Sequence, residues 1–101
     1  MRRVRFTETA QSDLEEIWWY IALDSPVRAD GFVDELAAVC RCSLASMPGI
    51  GKPCEELLPD LWRFPYQSCL IFYRVSSEQL EVVRILQGAR EIEALFGEDT
   101  T

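Results

Sequence analysis

Residues 3–6 alternate charged with apolar side chains, Arg3 and Arg5 against Val4 and Phe6. That is the pattern of a short strand with one wetted face. Thr7 then stands where a helix cap is needed. From it Ala10, Leu14, Ile17, Trp18, Ile21 and Ala22 recur at spacings of three and four, which gathers them into one stripe on a helix ending near Asp24. Ser25-Pro26 restarts a helix, because Ser accepts a bond from an orphan amide and Pro at the first helical position gives up no needed donor. In this second helix Ala29, Phe32, Val33, Leu36, Ala37, Cys40, Ser43, Leu44 and Met47 fall on one face, and Pro48-Gly49 supplies the stop. Two helices joined by so few residues run antiparallel, and their shared apolar face requires a covering layer. Residues 68–76 and 79–87 are rich in β-branched and aromatic side chains on either side of a polar turn, and so predict a hairpin. Cys69-Leu70-Ile71-Phe72-Tyr73 is apolar on both alternating faces, as a central strand is. Residues 61–66 flank it, and since Pro65 cannot donate to a ladder that strand is expected to be an edge or to stop there. Residues 89–96, between Gly88 and Gly97, read as a short final helix. The expected class is α+β: an N-terminal strand, an antiparallel helical hairpin on an antiparallel meander, and a small C-terminal helix, all in one domain over residues 1–101.

The 101 residues suffice for one modest core, and 49% apolar content excludes intrinsic disorder. A formal charge of -7 disfavours a wholesale electrostatic grip on nucleic acid or an anionic membrane. The charge is unevenly spread, however. The first six residues carry three Arg and no acid, whereas residues 7–47 carry eight acids and two Arg. No apolar run approaches the roughly 18 residues that cross a bilayer, and the amino terminus lacks the apolar segment of a signal peptide, so a cytoplasmic protein is expected. There is no His, and Cys40, Cys42, Cys54 and Cys69 form no CxxC pair. Neither a common zinc site nor a Cys-His couple can be assembled, and the cysteines are expected to be reduced packing residues. No metal or cofactor is anticipated.

Candidate chemistry is sparse. Glu15-Glu16, Asp34-Glu35, Glu55-Glu56 and Glu91-x-Glu93 read as solvated faces, since adjacent helical carboxylates point in different directions. Gly49-Ile50-Gly51 and Gly88-Ala89-Arg90 complete no phosphate-binding pattern. Arg63, Arg74, Arg84 and Arg90 lie on or beside the expected meander, where alternate residues of neighbouring strands converge on one face. Arg63, set among Trp62, Phe64 and Tyr66, suits bidentate capture of a carboxylate on a partner chain, the alternative being an ordinary surface ion pair. Trp19, Tyr20 and Leu23 fall outside the stripe of the first helix. They are available either to a partner or to the final helix or a loop of the same chain.

The order of elements then meets specific residues. Phe6-Thr7-Glu8-Thr9-Ala10, Asp13-Leu14-Glu15-Glu16-Ile17, Tyr20-Ile21-Ala22, Ala29 and Phe32 are followed by Leu44, Pro48, Gly51, Glu56-Leu57, Arg63 and Tyr66. Ile71-Phe72-Tyr73-Arg74-Val75, Ile85-Leu86 and Gly88-Ala89-Arg90 complete the series. In order and spacing the chain resembles the ParE branch of the RelE/ParE toxin superfamily, also called plasmid stabilisation proteins. One departure is Gln87, where a His often precedes the Gly-x-Arg segment of that superfamily.

The resemblance implies the toxin of a type II toxin–antitoxin pair, held in a hetero-oligomer by a ParD-like antitoxin. ParE-like toxins inhibit DNA gyrase, whereas RelE-like relatives cleave messenger RNA on the ribosome. Metal-free RNA cleavage needs a base, an acid and cations on the phosphate. Without His that work falls to Lys52, Tyr66, Tyr73 or a carboxylate, with Arg63 and Arg84 on phosphate, and each base or acid needs a large pKa shift. The residues therefore favour inhibition by binding, without direct contact to nucleic acid or membrane. In that reading Arg63, Arg74, Arg84 and Arg90 give recognition charge, and Trp19, Tyr20 and Tyr66 give anchor area. A ribosome-dependent endonuclease and a toxin-derived binding module without toxicity are the alternatives.

Overall fold

The structure, a computed structural model, describes residues 2–87. The final helix expected over residues 89–96, and Arg90 with it, lie outside the described residues.

Strand β1 (Arg3–Phe6) sends Val4 and Phe6 toward the core and leaves Arg3 and Arg5 exposed. Thr7 caps helix α1 (Glu8–Ala22): its hydroxyl accepts from the Ala10 amide at 3.0 Å. Ala10, Asp13 and Ile17 are the buried residues of α1. Helix α2 (Pro26–Ala38) starts as its sequence dictates, with Pro26 in the first turn and the Ser25 hydroxyl accepting from the Arg28 amide at 3.2 Å. The Trp18 indole donates to Asp30 at 2.7 Å and ties the two helices together.

Past α2 the chain tightens into no stop but widens into a π-helical stretch, Val39–Leu44. A π turn holds more residues than an α turn, so the buried face slips in phase along the chain. This corrects the expected stripe: Leu44 and Ala45 are buried, while Ser43 and Met47 face solvent. The same turn exposes Cys42, whereas Cys40, Cys54 and Cys69 are buried as expected. Burial pushes the Cys40 thiol up to about 12.

Four further strands complete the sheet: β2 (Lys52–Pro53), β3 (Trp62–Tyr66), β4 (Cys69–Val75) and β5 (Gln79–Gln87), in the order β1-β5-β4-β3-β2. Strands β2 to β5 are antiparallel, and β1 lies parallel to β5 with Arg3 opposite Gln79. The β4–β5 hairpin closes where expected, with the Ser76 amide donating to Gln79 O at 2.9 Å. Strand β4 is central and buried on both faces. Ile71 and Tyr73 join Ile17, Leu36, Cys40, Leu44, Leu80 and Val82 beneath the helices. On the other face Phe72 packs with Cys54, Leu61 and Leu86 under the chain segment 54–61. The short β2 pairs with Trp62 and Arg63 and stops short of Pro65, which among the described residues has no strand on its outer side for its missing N–H to disrupt.

Candidate functional site

Strand alternation sorts the charges. Val4, Phe6, Trp62, Phe64, Tyr66 and Val75 pack toward the helices, so Arg3, Arg5, Arg63 and Arg74 belong to the opposite face. Lys52 faces Arg63 in register and joins them. The exposed acids Glu8, Glu15, Glu16, Asp30, Asp34 and Glu35 lie on α1 and α2. A chain of strongly negative total charge thus carries five cations on the back of its sheet. At one end of that face Glu81 sits in register between Arg5 and Arg74, and it forms an ion pair with Arg5.

At the other end the cations are less well neutralised. Lys52, Arg63, Ile50, Gly51, Phe64, Pro65 and Leu70 line a cleft of about 410 Å³. Arg63 is half-buried, and among the described residues neither it nor Lys52 meets a carboxylate within ion-pair distance. The turn that brings Ile50 and Gly51 to the cleft is held by Tyr73. This residue is buried, stacks on Trp62 with ring centroids 6.4 Å apart, and donates its hydroxyl proton to Pro48 O at 2.6 Å. Burial raises the Tyr73 phenol above its ordinary value, against a backbone hydrogen bond from Gly51 that lowers it. Gly51 is obligatory on steric grounds: a Cβ there would lie 2.2 Å from the Tyr73 hydroxyl oxygen and 2.5 Å from Arg63 O. The nearby Cys54 thiol is pushed up by burial first and by Glu56 second, while Arg63 pulls it down.

Arg84 has a different environment. Its Nε and Nη2 each donate to an oxygen of Asp13 at 2.9 Å, and the Ile85 amide donates to the same carboxylate at 3.0 Å. Asp13 is only 7% exposed. The geometry follows from the end of β1, which pairs with β5 only as far as Val82. Beyond that point α1 seals the bare edge of β5, through the Thr7 hydroxyl on Val83 O at 2.9 Å and through Asp13 on Ile85. A register irregularity opposite Phe72 and Tyr73 re-aims β5 at this place. Sequence reasoning overlooked this clamp although a signal existed. Asp13 lies three residues after Ala10 and four before Ile17, an acid on the apolar stripe.

The aromatic candidates divide in the same way. The Tyr66 hydroxyl donates to Glu35 at 2.9 Å, a bond that raises its phenol and joins β3 to α2. Trp19 and Tyr20, by contrast, are 66% and 67% exposed, and with Leu23 and Val27 they make an apolar corner where α1 passes into α2. Two clefts flank this corner. One of about 620 Å³ is lined by Val27, Arg28, Phe32, Glu35 and Gln67, and one of about 370 Å³ by Glu16, Tyr20, Arg84 and Gln87. The structure therefore brings Lys52 and Arg63 together, puts Arg74 on the same face nearer Glu81, leaves Trp19 and Tyr20 exposed at the helical corner, and engages Arg84, Tyr66 and Tyr73 within the chain. Among the described residues no group of three or more His, Cys, Asp or Glu side chains could hold a metal ion, and no helix is long and apolar enough to cross a membrane.

This architecture, a helical hairpin on a sheet whose first strand runs parallel to its last, is that of RelE/ParE toxins. It superposes on a chain of the RelBE2 toxin–antitoxin complex of Mycobacterium tuberculosis with a TM-score of 0.69 at 23% identity, covering 87% of this chain and 92% of that one. Against a chain of the chromosomal ParDE system of P. aeruginosa the TM-score is 0.70 at 22% identity, covering 87% and 97%. Residues 4–92 match the family described as "ParE toxin of type II toxin-antitoxin system, parDE", and the chain belongs to that family. Toxin ParE1 of Caulobacter vibrioides is 32% identical over 98 residues, 96% of this chain and 100% of that protein. Toxin ParE1 of Mycobacterium tuberculosis is 31% identical over 99 residues, 90% and 94% of the two chains.

Proposed function

We propose that this ParE-family toxin acts in the cytoplasm as a single domain that inhibits DNA gyrase by binding, and that a ParD-like antitoxin neutralises it by covering the apolar corner of the helical hairpin. The observation that carries the reading is the state of the side chains a metal-free ribonuclease would need. Tyr73 is buried with its proton held by Pro48 O, and Arg84 is held by Asp13. Lys52 and Arg63 remain, two cations with no carboxylate within ion-pair distance among the described residues to act as acid or base beside them. Such a pair is suited to holding an anion.

The corner of Trp19, Tyr20, Leu23 and Val27 supports the antitoxin half of the reading. Large apolar side chains so exposed are anchors that a partner desolvates, and an amphipathic helix laid across α1 and α2 would do this. A supercoiling assay with purified gyrase tests the target: titration of toxin abolishes supercoiling, and addition of the antitoxin restores it. Unchanged supercoiling at saturating toxin, together with transcript cleavage on translating ribosomes by primer extension, overturns the proposal in favour of an endonuclease.

A further inference from the structure

We infer that the cleft between β2 and β3 is a receptor for an acidic side chain of the antitoxin, taken up together with an apolar neighbour. The inference rests on the toxin–antitoxin reading and is independent of gyrase. Its starting point is Arg63, half-buried with no carboxylate among the described residues to compensate the desolvation of its charge. A guanidinium in that state gains more from an incoming carboxylate than one already paired. Lys52 stands directly across the ladder from it and adds a second cation on the same face. The remaining walls, Ile50, Phe64, Pro65 and Leu70, are apolar. A volume of about 410 Å³ falls among the clefts that hold ligands, roughly 300–1,000 Å³.

Three features decide the chemistry of the occupant. The cleft has two cations in one corner and hydrocarbon elsewhere, which fits a carboxylate on an aliphatic segment. A polynucleotide would instead draw on a continuous track of cations, and here Glu81 interrupts the track between Arg5 and Arg74. Pro65 deprives the open edge of β3 of an N–H, so an added strand would find a broken ladder and recognition falls to side chains. The cleft is also preformed. Tyr73 fixes the turn that carries Ile50 and Gly51 through its bond to Pro48 O, and any side chain at position 51 would collide with its hydroxyl. Little ordering then remains to be done on binding.

The test uses the full chain, labelled with nitrogen-15, and a synthetic peptide standing in for the antitoxin segment, acetyl-Leu-Glu-Ile-Glu-Leu-amide. Binding is expected to move the amide resonances of Ile50, Gly51, Lys52, Arg63 and Leu70. The same peptide with Gln for both Glu is expected to bind at least ~10-fold more weakly. Arg63→Met and Lys52→Met are each expected to weaken the acidic peptide by a similar factor, and Arg63→Lys by less. The glutamine peptide needs no variant, so the comparison stands even if a substitution impairs folding. Equal binding of both peptides overturns the carboxylate. Tighter binding of hexauridylate than of the acidic peptide makes the cleft a phosphate site, and self-association that Arg63→Met abolishes makes it an interface between copies of this chain. No resonance shift by either peptide up to about 5 mM, a Kd weaker than any specific contact of this kind, rejects the receptor outright. A negative supercoiling assay leaves the result untouched, and failure here leaves the gyrase reading standing.

Discussion

Arg63 and Arg84 flank the same residue. Both are register partners of Phe72, one on β3 and one on β5. One is clamped by both oxygens of a buried carboxylate, while the other reaches a cleft with no acid of its own among the described residues. What separates them is the element that borders each strand. The edge of β5 beyond Val82 is sealed by α1, which brings Asp13 with it, whereas among the described residues the edge of β3 is bordered by a two-residue strand and a turn. An arginine on a sheet is thus structural or available according to its neighbour at the edge, and its own sequence context does not decide which.

The sharpest way to break this contrast is to remove the clamp. Asp13→Ala takes the buried carboxylate away from both the Arg84 guanidinium and the Ile85 amide, and is expected to destabilise the fold by about 3–5 kcal/mol, read as a lower midpoint in urea. Asp13→Leu combined with Arg84→Met should recover most of that loss. A double variant as unstable as the single one would show that the bare amide, and not the charge, sets the cost. Next in size is Gly51→Ala, expected to cost about 1–3 kcal/mol because the Tyr73 hydroxyl and the Arg63 carbonyl must both give way; calorimetry checks it. Thr7→Ala removes the cap of α1 and the bond to Val83 O together, and a loss of about 1–2 kcal/mol is expected in thermal melts. Smallest of all is Arg63→Met, with a change within about 0.5 kcal/mol in either direction. A loss above about 2 kcal/mol in denaturant titration would make Arg63 a second pin and erase the distinction from Arg84.

Local chemistry made much of the fold legible. The capping bonds of Thr7, Ser25 and Ser76 each reach only three residues along the chain, so this part of their effect can be read where they stand. The burial of β4 on both faces follows from its own five apolar residues, and the exposure of Trp19, Tyr20 and Leu23 follows from their place off the stripe. Interactions between remote segments were less readable. The Asp13–Arg84 clamp joins positions 71 apart, and a lone acid on an apolar stripe announces a partner without naming it. The π turn changes the helical period itself, so any argument from a fixed period places Met47 inside. Alternation put Arg63 and Arg74 on one face, but the cleft also needed β2, too short to leave a pattern, and the turn that Tyr73 holds from across the sheet.

The parallel pairing of β1 with β5 has a consequence for the order of synthesis. Strand β1 leaves the ribosome with its partner β5 still unmade, since Arg3 waits for Gln79 and Phe6 for Val82. The helical hairpin emerges next, and the floor it packs on, strands β4 and β5, is translated after it. A nascent chain halted anywhere before Gln79 therefore has no complete core, and the helical hairpin stays uncovered until the β-hairpin behind it has been made.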